Sequence, residues 1–159
     1  MYYNIYEIDT RPIRQSRMDA QSIGEHVLFL EKCAAVDDEE DRDAALRQFG
    51  KWIKAENLGT LKQSVFVLNE EAAYSKHFAS RYTRFHQLAE TIAGLTEEDY
   101  LHRFCNVCNL ITDLKKAVAD EEDDYVFWNG EMLLTMDEFL RFAETGRQYH
   151  IGSICKYHQ

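Results

Sequence analysis

Hydrophobic and polar positions along this chain fall into two periods. YYNIYEI at Tyr2–Ile8 is aromatic and β-branched and reads as a strand. SVFVL at Ser64–Leu68 is a short unbroken apolar run, the pattern of a strand buried on both faces. DYVFWNGEMLLT sets Asn129-Gly130 between two strand-like segments, a strong hairpin signal. Tyr149–Tyr157 reads as the last strand, with Gly152 marking a bulge or a close backbone approach.

Elsewhere apolar residues recur every three or four positions. Ser22-Ile23-Gly24-Glu25 fits a capping box, after which Ile23, Val27, Leu30 and Ala34 share one helical face. Asp37 with Glu40 offers a similar start to a second helix, with Ala45, Phe49, Trp52 and Ile53 inward and a stop near Gly59. Asn69 is placed to cap a long helix carrying Tyr74, Phe78, Phe85, Leu88 and Ile92 and ending at Gly94. Thr96-Glu97-Glu98-Asp99 then begins a helix with Tyr100, Phe104, Val107, Ile111, Leu114 and Val118 on one side. The short connection predicts a long antiparallel helical hairpin. Thr135-Met136-Asp137-Glu138 caps a short helix that stops at Gly146.

Strands and helices in runs, without regular βαβ alternation, predict an α+β fold. The expected architecture is one domain over residues 1–159, with about five mostly antiparallel strands and helices packed on one face. At 159 residues and 45% apolar content the chain can bury a core without metal or disulfide staples. No stretch approaches the roughly 20 apolar residues of a membrane span, and the opening MYYNIYEIDT lacks the pattern of a signal peptide. The expectation is a soluble, cytoplasmic protein whose four cysteines are reduced.

Charge changes this picture more than composition does. The net charge is −10, and two short runs carry all of it. DDEEDRD at 37–43 holds six acids and one arginine and contributes −5; DEEDD at 120–124 contributes the other −5. A surface for DNA or RNA is normally basic, because affinity comes from neutralising phosphates, so direct nucleic-acid binding is not expected. Acids that open a helix are explained by its dipole. DEEDD instead follows Lys115 and Lys116 at the end of a helix, where acids oppose the dipole and repel one another. Concentrated like charge of this kind steers basic partners. Candidate partner-binding residues are Asp37, Asp38, Glu39, Glu40 and Asp41 in one run and Asp120, Glu121, Glu122, Asp123 and Asp124 in the other.

Catalytic motifs are few. The chain has no HExxH, GxSxG, P-loop or GxGxxG sequence, and no cofactor is expected. His150, beside Gly152, is a candidate base for a small enzyme site on the terminal strand. HRFCNVC and ICKYH supply Cys105, Cys108, Cys155 and His158, a ligand set suited to zinc. A helix running from Glu97 through both cysteines predicts instead that Cys105 and Cys108 are buried in the hairpin interface and too deep for redox chemistry. Lys76, His77, Arg81 and Arg84 form a basic stripe on the preceding helix, the pattern of a solvated flank. The function expected from these features is a non-catalytic interaction protein that binds or inhibits a basic partner, of the mimic, immunity or adaptor type. A small enzyme around His150 and a zinc-stabilised module are the alternatives.

Overall fold

A computed structural model describes residues 2–27, 35–38, 41–70, 76–118 and 125–158. The chain divides into two compact units, Met1–Ala73 with Asp123–Gln159, and Tyr74–Glu122. The first unit holds β1 (Tyr2–Asp9), α1 (Ala20–Val27), β2 (Ala35–Asp38), α2 (Arg42–Ala55), β3 (Gly59–Lys62) and β4 (Val65–Leu68). The second holds α3 (Lys76–Ala93), α4 (Glu97–His102) and α5 (Phe104–Val118). The chain then returns to the first unit with β5 (Tyr125–Trp128), β6 (Leu133–Thr135), α6 (Met136–Phe142) and β7 (Gln148–His158).

Among the described residues seven strands join one sheet in the order β3-β4-β7-β1-β5-β6, and β2 also pairs with β7. The sheet is mixed but mostly antiparallel: β1 and β5 are its one parallel pair among the described residues. β7 is long enough to serve two neighbours, pairing with β4 through residues 148–150 and with β2 through residues 155–158. β2 and β3, two additional four-residue strands, raise the expected five to seven among the described residues. β2 takes Asp37 and Asp38 out of the expected helix start, because the free length of β7 offers backbone partners to AVDD. α2 begins later, where the Asp41 side chain accepts from the Ala44 N–H at 2.9 Å. β3 escapes sequence reading because GTLK carries a single apolar side chain. Its pairing depends on Gly59, where a Cβ would strike the Val67 carbonyl and lie 2.8 Å from the Phe66 ring.

Helices cover both faces of the sheet rather than one. Neighbouring β1 residues show why, since successive strand side chains point to opposite sides. Ile5 packs with Met18, Ile23 of α1, Val126, Trp128, Cys155 and Tyr157. Tyr6 stacks on Phe49 of α2 at 4.8 Å between ring centroids, and Phe127 meets Phe139 of α6 at 4.7 Å. Phe49 also meets Phe66 edge-on at 5.6 Å, so the second face is an aromatic core. Truncating the fully buried Phe49 to Ala would cost about 3–5 kcal/mol.

The start of α1 also shifts from its expected position. Asp19 accepts from the Ser22 N–H at 2.7 Å and Ser22 Oγ accepts from the Asp19 N–H at 3.1 Å, so the reciprocal cap lies three residues earlier than Ser22-Glu25. Expected positions Leu30 and Ala34 lie outside the described residues. The capping boxes at Thr96–Asp99 and Thr135–Glu138 are both formed. The Asn129-Gly130 hairpin closes with a four-residue loop, since Trp128 pairs with Leu133; Asn129 Oδ1 accepts from the Glu131 and Met132 N–H groups at 3.0 Å.

In the second unit α3 packs against α5, but the expected second arm is two helices. Arg103, at φ −121° and ψ 37°, ends α4 by donating its N–H to the Asp99 carbonyl at 2.8 Å. Its own carbonyl accepts from Asn106 and Val107 and starts α5. The break ends the apolar stripe as a continuous inner face. Val107 is buried, whereas Tyr100, Phe104, Ile111 and Val118 are exposed.

Candidate functional site

The acidic run at 37–43 is distributed over three local structures. Asp37 and Asp38 belong to β2, their backbones opposite Lys156 and Cys155 of β7. Glu39 and Glu40 lie outside the described residues. Asp41 is the N-cap of α2 and Asp43 stands in its first turn; both are exposed, where the helix dipole favours an acid. Asp120, Glu121, Glu122, Asp123 and Asp124 of the other run lie outside the described residues.

Arg42, the one cation of the first run, turns inward. Its Nε donates to the Gly152 carbonyl and its Nη2 to the Ile151 carbonyl, each at 2.8 Å. These carbonyls lie in the part of β7 between its β4 and β2 pairings, so the guanidinium takes the place of a strand neighbour there.

The same part of β7 is held from its β1 side by Glu7. The register shifts between Tyr6, opposite Ile154, and Ile8, opposite Ile151, so Gly152 and Ser153 together face Glu7 in a β-bulge. Glu7 is 5% exposed. Its Oε2 accepts from the Ser16 hydroxyl at 2.7 Å and the Ser153 N–H at 3.0 Å, and its Oε1 accepts from the Arg17 N–H at 2.9 Å. Three neutral donors thus meet a buried carboxylate and tie the loop after β1 to the sheet. Gly152 is obligatory in this arrangement, since a Cβ would collide with the Glu7 carboxylate and stand 3.0 Å from Ile13 Cδ1. The expected close approach at Gly152 is therefore a bulge with an acid folded over it. Sequence reading missed Glu7 and Arg42. The available signals were an acid at the inward position after Tyr3 and Ile5, and one arginine inside a run of acids.

His150 is half-buried in β7, opposite Asp9 of β1 and Val65 of β4. Cys155 is fully buried in the apolar cluster with Ile5, Met18, Ile23, Val126, Trp128 and Tyr157. His158 ends the same strand, its backbone opposite Tyr2 and Ala35. Cys105 and Cys108 belong to the second unit and are exposed, contrary to the expected burial. They occupy the start of α5 rather than a helix interior, because the break at Arg103 resets the helix two residues before Cys105. Among the described residues no three His, Cys, Asp or Glu side chains are grouped to hold a metal ion. On α3, Arg84 is exposed, while the side chains of Lys76 and His77 lie outside the description.

Fold and site together define a single-sheet α+β protein with a mixed, mostly antiparallel sheet. No described helix is long and apolar enough to cross a membrane. Compared with family models, curated proteins and solved structures, the chain matches none.

Proposed function

We propose that this chain is a non-catalytic interaction protein whose acidic surfaces bind or inhibit a basic protein partner of the kind that handles nucleic acid. The observation that carries the reading is the position of Arg42. The only cation in DDEEDRD is committed to two backbone carbonyls of β7, while the flanking Asp41 and Asp43 are exposed. The one cation of the run thus directs its hydrogen bonds to the sheet rather than to the neighbouring acids, and the exposed Asp41 and Asp43 are what a basic surface meets there on approach. DEEDD adds a second concentration of charge whose position after a helix gains nothing from the dipole. A fold that tolerates such self-repulsion is understandable when binding uses it.

The test neutralises each run separately. One variant carries Asn or Gln at Asp37, Asp38, Glu39 and Glu40, with the Asp41 cap kept; the other carries them at Asp120, Glu121, Glu122, Asp123 and Asp124. Capture from the native host across a salt series, with mass spectrometry, identifies the partner. The expected result is a basic nucleic-acid-handling protein whose retention falls with salt and falls further in the variants, while thermal stability holds or rises. Steering charges slow association more than they quicken dissociation. Capture that is unchanged by both salt and neutralisation refutes the proposal.

A further inference from the structure

We propose that the carboxyl ends of β1 and β5 form a binding site for an organic phosphate of nucleotide size. These two strands are the parallel pair of the sheet, with Glu7 and Trp128 in register at their shared end. Beyond that end the chain runs on to α1 after β1 and into the β5–β6 hairpin after β5.

A cavity of about 600 Å³ lies there, lined by Arg11, Arg14, Arg17, Ile13, Trp128 and Asn129 among others. A second of about 370 Å³ shares Asp9, Arg11 and Asn129 with it and is walled by Leu134, Phe139 and Phe142. Both fall in the size range of small-molecule sites.

The arginines are what make the larger cavity specific. Arg11 stands 3.8 Å from Asp9, a loose exposed pair. The Arg14 and Arg17 guanidinium groups have no partner among the described residues. Glu7 would be their natural counterion, but its oxygens are taken by the Ser16 hydroxyl and the Arg17 and Ser153 N–H groups. The acid therefore fixes the loop that carries the arginines without neutralising their side chains. Guanidinium forks held on an anchored loop match the oxygens of a phosphate bidentately. Trp128 contributes its ring to the wall of the same cavity, and its buried indole N–H has no hydrogen-bond partner among the described residues. The adjoining wall of Leu134, Phe139 and Phe142 takes a planar apolar body, and Phe142 is 79% exposed as it stands.

The test is titration of the full chain with AMP, inorganic phosphate and adenosine, followed by calorimetry and by amide NMR. AMP should bind, shifting amides in the loop after β1 and near Asn129, with phosphate alone and adenosine alone each at least about tenfold weaker. R14Q/R17Q should weaken AMP by about 10–100-fold, the range for losing charge-assisted hydrogen bonds, with an unchanged circular dichroism spectrum. F142S should weaken AMP and leave phosphate untouched. If the double variant fails to fold, R14Q alone gives the same reading, because that side chain makes no hydrogen bond or ion pair among the described residues. No AMP binding below about 10 mM, equal binding of adenosine and AMP, or undiminished affinity in the arginine variants each overturns the proposal.

Discussion

Replacing Glu7 by Gln keeps the shape of the side chain and removes one acceptor from a site that uses both. Two donors, the Ser16 hydroxyl and the Ser153 N–H, converge on Oε2, and the Arg17 N–H meets Oε1. A glutamine that sets its carbonyl towards the first pair points its amide N–H₂ at the Arg17 N–H, donor against donor. The orphaned donor costs about 1–3 kcal/mol, and two bonds that lose their charge assistance cost about 0.5–1 kcal/mol each. The sum is a destabilisation of about 2–5 kcal/mol, or roughly 4–20 °C in melting temperature for a chain of this length. Urea unfolding followed by tryptophan fluorescence is suited to the measurement, since Trp52 and Trp128 both belong to the first unit. Amide hydrogen exchange gives a local reading: the Ser153 N–H should exchange much faster in the variant, and amides of the aromatic face should follow only the global change. A stability within about 0.5 kcal/mol of wild type, or an unchanged Ser153 amide, would refute the assignment of Glu7 as the anchor of the bulge.

Gly152→Ala forces a Cβ into the Glu7 carboxylate and should cost about 2–4 kcal/mol by the same denaturation assay, with much of the loss absent in a Glu7→Ala background where the collision is relieved. Alkylation of the native protein followed by mass spectrometry should label the exposed Cys105 and Cys108 and spare Cys155 until unfolding; early labelling of Cys155 would contradict its place in the core. The Ser22 N–H, followed by the Ser22 hydroxyl, lowers the Asp19 pKa, and the Thr96 hydroxyl, followed by the Thr96 N–H, lowers that of Asp99. Because the folded values lie below the unfolded ones, each contribution is full above the unfolded aspartate pKa and disappears as pH falls through the folded value. Ser22→Ala and Thr96→Ala should therefore raise the respective carboxyl titrations seen by NMR, and the stability gap to wild type should narrow on acidification.

Elements whose signals are local were legible in the sequence. The boxes at Thr96 and Thr135 specify their helices because both reciprocal bonds form within four residues. The aromatic and β-branched pattern likewise locates β1, β4 and β7. What was not legible depends on partners distant in sequence. AVDD is a strand because β7 extends past β4, and GTLK is one because Gly59 lets β4 approach. The stripe from Tyr100 to Val118 has heptad-like spacing, yet a period describes one helix only if the helix is continuous, and Arg103 interrupts it. Burial at Cys105 and Cys108 was inferred from that continuity and fails with it. At the candidate sites, the acids of 37–43 were visible as charge, but the orientation of Arg42 depends on carbonyls 109 and 110 residues away.

Arg42 and Glu7 act on the same short piece of β7 with opposite charge. One guanidinium binds the Ile151 and Gly152 carbonyls, and one carboxylate binds the Ser153 N–H, so the bulge is held from both sides. Arg42 interrupts a run of acids, and Glu7 precedes a loop with Arg11, Arg14 and Arg17. Drawing both into the sheet commits their hydrogen bonds to β7 and the loop after β1 rather than to the side chains of the acids around Arg42 or of the arginines after Glu7. The backbone dipoles of the bulge and the hydroxyl of Ser16 satisfy the two internal charges with neutral groups, which costs less than leaving either unpaired. Neutral partners leave both charges in place, so each still offsets its neighbours; the sheet fixes where that offset sits relative to what a partner or ligand meets.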